Sequence, residues 1–168
     1  MTATTAYIGI GSNLAEPARQ VRAAVTALGA LELTTVLRCS SLYASAPLGP
    51  AAQPNYVNAV AAIETRLDPD TLLARLQDLE RAAGRIRTAD GLRWGPRVLD
   101  LDLLLYGQLR QASATLTLPH PEIGRREFVL RPLLEIAPDL TIPGQPPLPE
   151  LLRQCPPPPA RVLDEDSP

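Results

Sequence analysis

The chain has 168 residues and a formal net charge of −2. That length suits one domain with its own core, needing neither disulfides nor a structural metal, and the negative balance argues against a dedicated nucleic-acid binder. All 16 basic residues are arginine, which excludes a Schiff-base lysine, a lysine nucleophile and a lysine-dependent phosphate loop. A GC-rich genome is sufficient cause for the missing lysine, but its consequence holds: any bound phosphate must be met by arginine and metal. Cys39 and Cys155 lie far apart and match no zinc or redox spacing. The N-terminus shows no basic segment followed by an apolar one and a cleavage site, and no apolar run approaches the roughly 20 residues of a membrane span. The expectation is a soluble, cytoplasmic protein without a membrane partner.

Residues Ala6 to Ile10 are short, apolar and β-favouring, and predict a strand ended by a turn at Gly11-Ser12-Asn13. Glu16-Pro17 reads as a helix entry, with proline at the first helical position; Val21, Ala24, Val25 and Leu28 follow at helical spacing, and Gly29 stops it. Thr34 to Ala44 predicts one long strand. A proline-rich loop, APLGPAAQP, leads to Tyr56–Thr65, a loosely alternating strand and hairpin partner of the one before. Asp68-Pro69 opens the clearest helix, with Leu72, Leu73, Leu76, Leu79 and Ala83 as its buried stripe and Gly84 as its stop. An arginine-rich loop, Arg85 to Arg97, precedes a strand from Val98 to Tyr106. A short strand over Ala114–Leu118 and a helix from about Arg126 to Ile136 complete the pattern. From Pro143 prolines crowd in, so residues 1–145 read as the domain and 146–168 as a largely flexible tail, with one short turn at Pro149–Gln154. The order strand, helix, strand, strand, helix, strand is the ferredoxin-like βαββαβ sandwich, an α+β fold with an antiparallel-rich sheet, helices on one face and extra C-terminal elements. The fold itself fixes no function.

The stretch RWGPRVLDLDLLLY carries the chemistry. Side chains alternate along a strand, so Asp100 and Asp102 share one face while Leu99, Leu101 and Leu103 share the other. Their Cα atoms fall about 6.6 Å apart, a spacing at which two carboxylates converge on one hard cation or share two. Aspartate is disfavoured in strands, so a pair among leucines asks for a reason; the bland alternative is a solvated strand face. Arg85, Arg87, Arg93 and Arg97 lie just ahead. Oxygen-ligated Mg²⁺ with clustered guanidinium groups is the equipment for gripping a polyphosphate. Arginines paired with nearby carboxylates in a polar loop are the plainer reading, and Gly91 and Gly95 suit a loop that moves.

RWGPRVLDLDLL, Arg93 to Leu104, resembles the signature of the 6-hydroxymethyl-7,8-dihydropterin pyrophosphokinases of folate biosynthesis. YIGIGSNL, SLYASAPLGP with QPNYVNAV, LERAAGRIR, and LPHPEIGRREFVLRPLLEIAP resemble the same family in the same order, covering roughly residues 6 to 140. The resemblance implies a ferredoxin-like enzyme that transfers the diphosphate of ATP to the hydroxymethyl oxygen of the pterin and releases AMP. It implies Asp100 and Asp102 as ligands of two Mg²⁺ ions and, with Arg85 and Arg97, as the catalytic group. For the pterin it implies Tyr56 and Phe128 as stacking or wall residues, Asn58 at the edge of the ring, and the backbone around Pro47 and Leu48. For ATP it implies Gln77 and Glu80, three apart on one helix face and away from the leucine stripe, with Arg87, Trp94, Thr117, His120 and Arg126. His120 is expected to contact phosphate or ribose rather than to act as a base. In the absence of the resemblance, Phe128 would read as core, Gln77 and Glu80 as solvated, and His120 as structural.

Two departures stand out: TADGLR is slightly longer than the family's loop, and Thr115 stands where an arginine can occur. The expected partners are the two small-molecule substrates, with no nucleic acid, and the expected state is monomeric. Two other readings share these residues: a kinase or nucleotidyltransferase using the same metal pair, and a non-enzymatic ligand- or RNA-binding module, the latter disfavoured by negative charge and few aromatics.

Overall fold

The computed structural model describes residues 2–46, 55–84 and 98–163. In chain order the elements are β1 (Thr4–Ser12), α1 (Pro17–Gly29), β2 (Thr34–Cys39), β3 (Tyr43–Ser45), β4 (Tyr56–Thr65), α2 (Pro69–Ala82), β5 (Asp100–Tyr106), β6 (Gln111–Ala112), β7 (Thr117–Leu118), α3 (Glu127–Ile136), α4 (Leu148–Arg153) and β8 (Ala160–Val162). Elements β1 to β5 with α1 and α2 are the expected βαββαβ unit. The sheet runs β5-β1-β4-β3-β8 with β2 also on β4, and every pairing is antiparallel. The start of α2 is as expected: Asp68 Oδ1 accepts from Thr71 N at 2.9 Å, and Pro69 opens the first turn. Gly84 follows at φ +98°, which glycine adopts without strain. The entry of α1 is also as expected, with Pro17 its first residue, although Glu16 before it sits at φ 61° and makes no side-chain cap.

Helices cover both faces of the sheet, not one. Ala6, Ile8 and Ile10 of β1 join Leu99, Leu101 and Leu103 beneath α1 and α2. Val60 and Ala62 join Leu104, Leu105 and the apolar side of α3 and α4 on the other face. The reason lies in β4, where all seven residues from Val57 to Ile63 are buried; a strand apolar on both faces needs cover on both. A register shift between Tyr7 and Ile8 changes the face on which the later residues of β5 pack.

Three other expectations are corrected. Thr34–Ala44 is two strands rather than one. The register slips between Val36 and Arg38, and Ser40 then binds Val60 twice, its N donating to Val60 O and its Oγ accepting from Val60 N, both at 2.9 Å. Ala114–Leu118 is instead the turn and second strand of a small β6–β7 hairpin, with Ser113 Oγ accepting from Leu116 N inside the turn. Most of the proline-rich stretch is ordered. Leu148 and Leu151 of α4 are buried on the α3 side, and β8 pairs with β3. Proline counts hid this, because two leucines one helical turn apart and one small residue, Ala160, are enough when a groove already exists to receive them. Among the described residues no helix is long and apolar enough to cross a membrane.

Candidate active site

Asp100 and Asp102 sit on the α3 face of β5, both partly exposed, while Leu101 and Leu103 are buried on the opposite face. Across the sheet, Asp100 pairs with Gly11 and Asp102 with Gly9. One strand further on, Gly11 pairs with Asn58 and Gly9 with Val60. Opposed residues of an antiparallel pair point to the same face, so Gly11 leaves a floor without a side chain between Asp100 and Asn58, while the Leu104 side chain packs over Gly9, 3.5 Å from where its Cβ would stand. Two strand spacings make that floor about 10 Å wide. A Cβ at Gly11 would lie 3.1 Å from Asn58 Oδ1 and 3.9 Å from Tyr56 Cδ1. The floor therefore ends directly at Asn58 and Tyr56.

Asn58 is 5% exposed and its Nδ2 donates to Ser45 Oγ at 2.8 Å. Ser12, Asn13 and Ser45 are buried at the same end of the sheet. So many buried polar side chains cost stability unless each is paired, and among the described residues no buried side-chain N or O lacks a hydrogen bond. Sequence reasoning missed Gly9, Gly11 and Ser45. The glycines were legible, as YIGIG places them two apart on one strand face; Ser45 was not, because its partner is thirteen residues away.

On the far side stands His120. Its Nε2 lies 4.0 Å from Asp102 Oδ1, and its Nδ1 accepts from Glu122 N at 3.1 Å. In the neutral ring the proton is thus on Nε2, the nitrogen nearer the carboxylate. Burial, reinforced by the Arg126 guanidinium, pushes the His120 pKa below its ordinary value, with Glu122 and Asp100 opposing. A mostly neutral hydrogen-bonding imidazole suits the expected contact role. Arg126 caps the entry to α3 and places its guanidinium carbon 5.7 Å from the Phe128 ring centroid, within cation–π range. Phe128 is half-buried against the α3-side core rather than sealed in it. Thr117 is exposed on β7 and Gln77 is partly exposed on α2. Thr115 is exposed at the hairpin turn.

Glu80 overturns one expectation. It is 4% exposed and lies on the leucine stripe, not away from it, since positions 72, 76 and 80 fall in line at 3.6 residues per turn. Its Oε2 accepts from Leu101 N at 2.9 Å. Among the described residues β5 is an edge of the sheet, so an outward amide there needs a partner other than a neighbouring described strand. Glu80 thereby pins the residue between the two aspartates. Pro47, Leu48, Arg85, Arg87, Arg93, Trp94 and Arg97 lie outside the described residues.

The donor set fits Mg²⁺. Two neighbouring, partly exposed carboxylates beside the bare backbone of Gly11 offer hard oxygen ligands while leaving positions for water and phosphate oxygens. Among the described residues no group of three acidic, histidine or cysteine side chains could by itself hold a metal ion. The fold and this acidic strand define the class: a ferredoxin-like protein carrying a carboxylate pair suited to a divalent cation. Residues 7–138 match the family described as 7,8-dihydro-6-hydroxymethylpterin-pyrophosphokinase (HPPK), and the chain belongs to that family. It is 50% identical over 150 residues to the Pseudomonas aeruginosa protein named 2-amino-4-hydroxy-6-hydroxymethyldihydropteridine pyrophosphokinase, covering 89% of this chain and 91% of that one. The Haemophilus influenzae protein of the same name is also 50% identical, covering 89% and 92%. The fold is similar to that of a solved Plasmodium falciparum HPPK-DHPS with pteroate (TM-score 0.70, 11% identity), over 91% of this chain and 42% of that longer one.

Proposed function

We propose that the protein transfers the diphosphate of ATP to the hydroxymethyl group of 6-hydroxymethyl-7,8-dihydropterin, giving the pterin diphosphate and AMP in tetrahydrofolate biosynthesis. Family membership supports the reaction. The observation that carries the reading of the site is the glycine floor, bounded on one side by Asp100 and Asp102 and on the other by Asn58 and Tyr56. It suits a flat ring at one end and a charged phosphate chain at the other.

In this reading Asn58 hydrogen-bonds the edge of the pterin, Tyr56 and Phe128 supply its apolar walls, and Pro47 and Leu48 add backbone contacts. A rigid aromatic wall with a few fixed polar groups is how such ligands are held. Asp100 and Asp102 would hold two Mg²⁺ ions, which would neutralise phosphate charge and make the substrate hydroxyl easier to deprotonate. Arg126, Thr117 and His120 line the phosphate side, His120 donating through Nε2. Gln77, Arg87 and Trp94 complete the ATP contacts, and Arg85 and Arg97 bring positive charge to the transferred group. Glu80 acts through the strand, by holding Leu101. Catalysis rests on positioning and on charge neutralisation where charge develops, with no side chain required as an obligatory base. The protein works in the cytoplasm as a monomer.

Product analysis tests the reading. Incubation with ATP, Mg²⁺ and the hydroxymethyl pterin yields AMP and a pterin diphosphate in equal amounts. Formation of ADP, or of free pyrophosphate, would instead identify a kinase or nucleotidyltransferase built on the same acidic pair.

A further inference from the structure

The stretch after Pro147 carries no residue of the site described above, yet it reaches that site twice. First, β8 pairs with β3 so that Ala160 stands opposite Ser45, Arg161 opposite Ala44 and Val162 opposite Tyr43. Ser45 in turn stands opposite Tyr56 on β4. Ala160 is 4% exposed, and Leu163 N donates to Leu42 O at 2.8 Å, extending the attachment. Second, Gln154, Pro156, Pro157 and Pro158 line one cleft of about 620 Å³ with Arg126 and Phe128.

β3 is only three residues long. A strand that short, paired on one side alone, is poorly held. Its first residue has a separate anchor, because Tyr43 Oη donates to Glu135 Oε1 at 2.6 Å. Its last residue, Ser45, is held by β4 on one side and by β8 on the other. Ser45 Oγ then accepts from Asn58 Nδ2, which fixes which way the carboxamide faces and leaves Oδ1 over Gly11 at the edge of the floor.

We infer that the C-terminal strand β8 is a positioning element of the pterin site: it clamps the end of β3, and Ser45 there orients the Asn58 carboxamide toward the ligand. The inference rests on the pterin reading of Asn58. It assigns a function to the segment that composition alone marks as a largely flexible tail.

Two variants test it: the chain ended after Pro156, which keeps α4 and removes β8, and the full-length Ser45→Ala. Both keep the far-ultraviolet circular dichroism of the parent. In both, the pterin KM rises about ten-fold, the weight of one buried hydrogen bond, while the ATP KM stays within about two-fold, as a loss confined to one substrate requires. Ser45→Thr, which keeps the hydroxyl, restores the pterin KM. A shortened chain with an unchanged pterin KM, or with both KM values raised alike, overturns the inference. A readout independent of turnover separates it from the function proposed above. Hydrogen exchange at the Asn58 side-chain amide, slow in the full chain, speeds up in both variants, and unchanged exchange also overturns the inference. Failure of the full chain to release AMP from ATP and the pterin counts against the proposed function alone.

Discussion

The two faces of the sheet are built from the same strands and do opposite work. Under α1 and α2, Ile8 and Ile10 of β1 and Leu101 and Leu103 of β5 are large, apolar and sealed, all at most 4% exposed. On the α3 face the same two strands present Gly9, Gly11, Asp100 and Asp102 at their far end. There the core stops and a polar floor begins. The contrast shows how one strand can serve as foundation and as site at once, since a period of two sends alternate residues to different solvents. The closed face is hydrocarbon except where a buried polar group is hydrogen-bonded, as Glu80 is to the Leu101 amide. The open face tolerates charge because Asp100 and Asp102 stay partly exposed to water.

Substitutions should separate the faces. The largest effect is expected on the open one. Asp100→Asn or Asp102→Asn lowers turnover about 1,000-fold or more, as removal of transition-state charge stabilisation does, with a melting temperature close to the parent's. A matched loss of stability would return these aspartates to a structural role. Leu72→Ala on the closed face does the reverse: a side chain at 0% exposure costs about 2–5 kcal/mol of stability when truncated, while kcat/KM of the folded protein holds. Denaturant unfolding beside steady-state kinetics reads both.

Glu80→Ala probes the joint between the faces. It leaves the Leu101 amide without its acceptor, at a cost of about 1–3 kcal/mol, and turnover falls along with stability because the carboxylate-bearing strand loosens. A variant that binds ATP less tightly yet unfolds like the parent would show instead that Glu80 touches the nucleotide. Gly11→Ala intrudes on the floor without adding charge. Its Cβ would crowd Asn58 Oδ1 at 3.1 Å, so the pterin KM rises about ten-fold, a modest loss of complementarity, and the ATP KM holds. Smallest is Asp68→Ala, at the mouth of α2 and remote from either substrate. Hydrogen bonds from Thr71 hold the Asp68 carboxyl below its ordinary 3.8. Its contribution is therefore present above that value and fades as pH falls through the lower, folded-state pKa. A melting-temperature difference from the parent at neutral pH that shrinks in acid is the expected signature; a constant difference would deny the cap its charge.

How far the sequence leads depends on whether a signal is local. The α2 cap, the split of leucine from aspartate along β5 and the βαββαβ order were legible, since each is written within a few consecutive residues. Asp100, Asp102, Asn58 and Tyr56 were legible as candidates too, and the structure brings them to the two rims of one floor. Glu80 was misread as lying off the leucine stripe, although residues 72, 76 and 80 share one helical line. Its duty toward Leu101 depends on a partner 21 residues away. The C-terminal stretch was misread because composition counts prolines and does not see the groove that receives Leu148, Leu151 and Ala160.

By itself, then, the sequence determined the periodicities, the acidic pair and the resemblance of its ordered motifs to one family, all properties of neighbours along the chain. Tertiary structure alone decided that Gly11 forms a floor between Asp100 and Asn58, that Ser45 holds Asn58 and that a proline-rich end returns as a strand. Those facts are registers between distant segments. A register is set by how both faces of the sheet pack at once, which no single segment specifies.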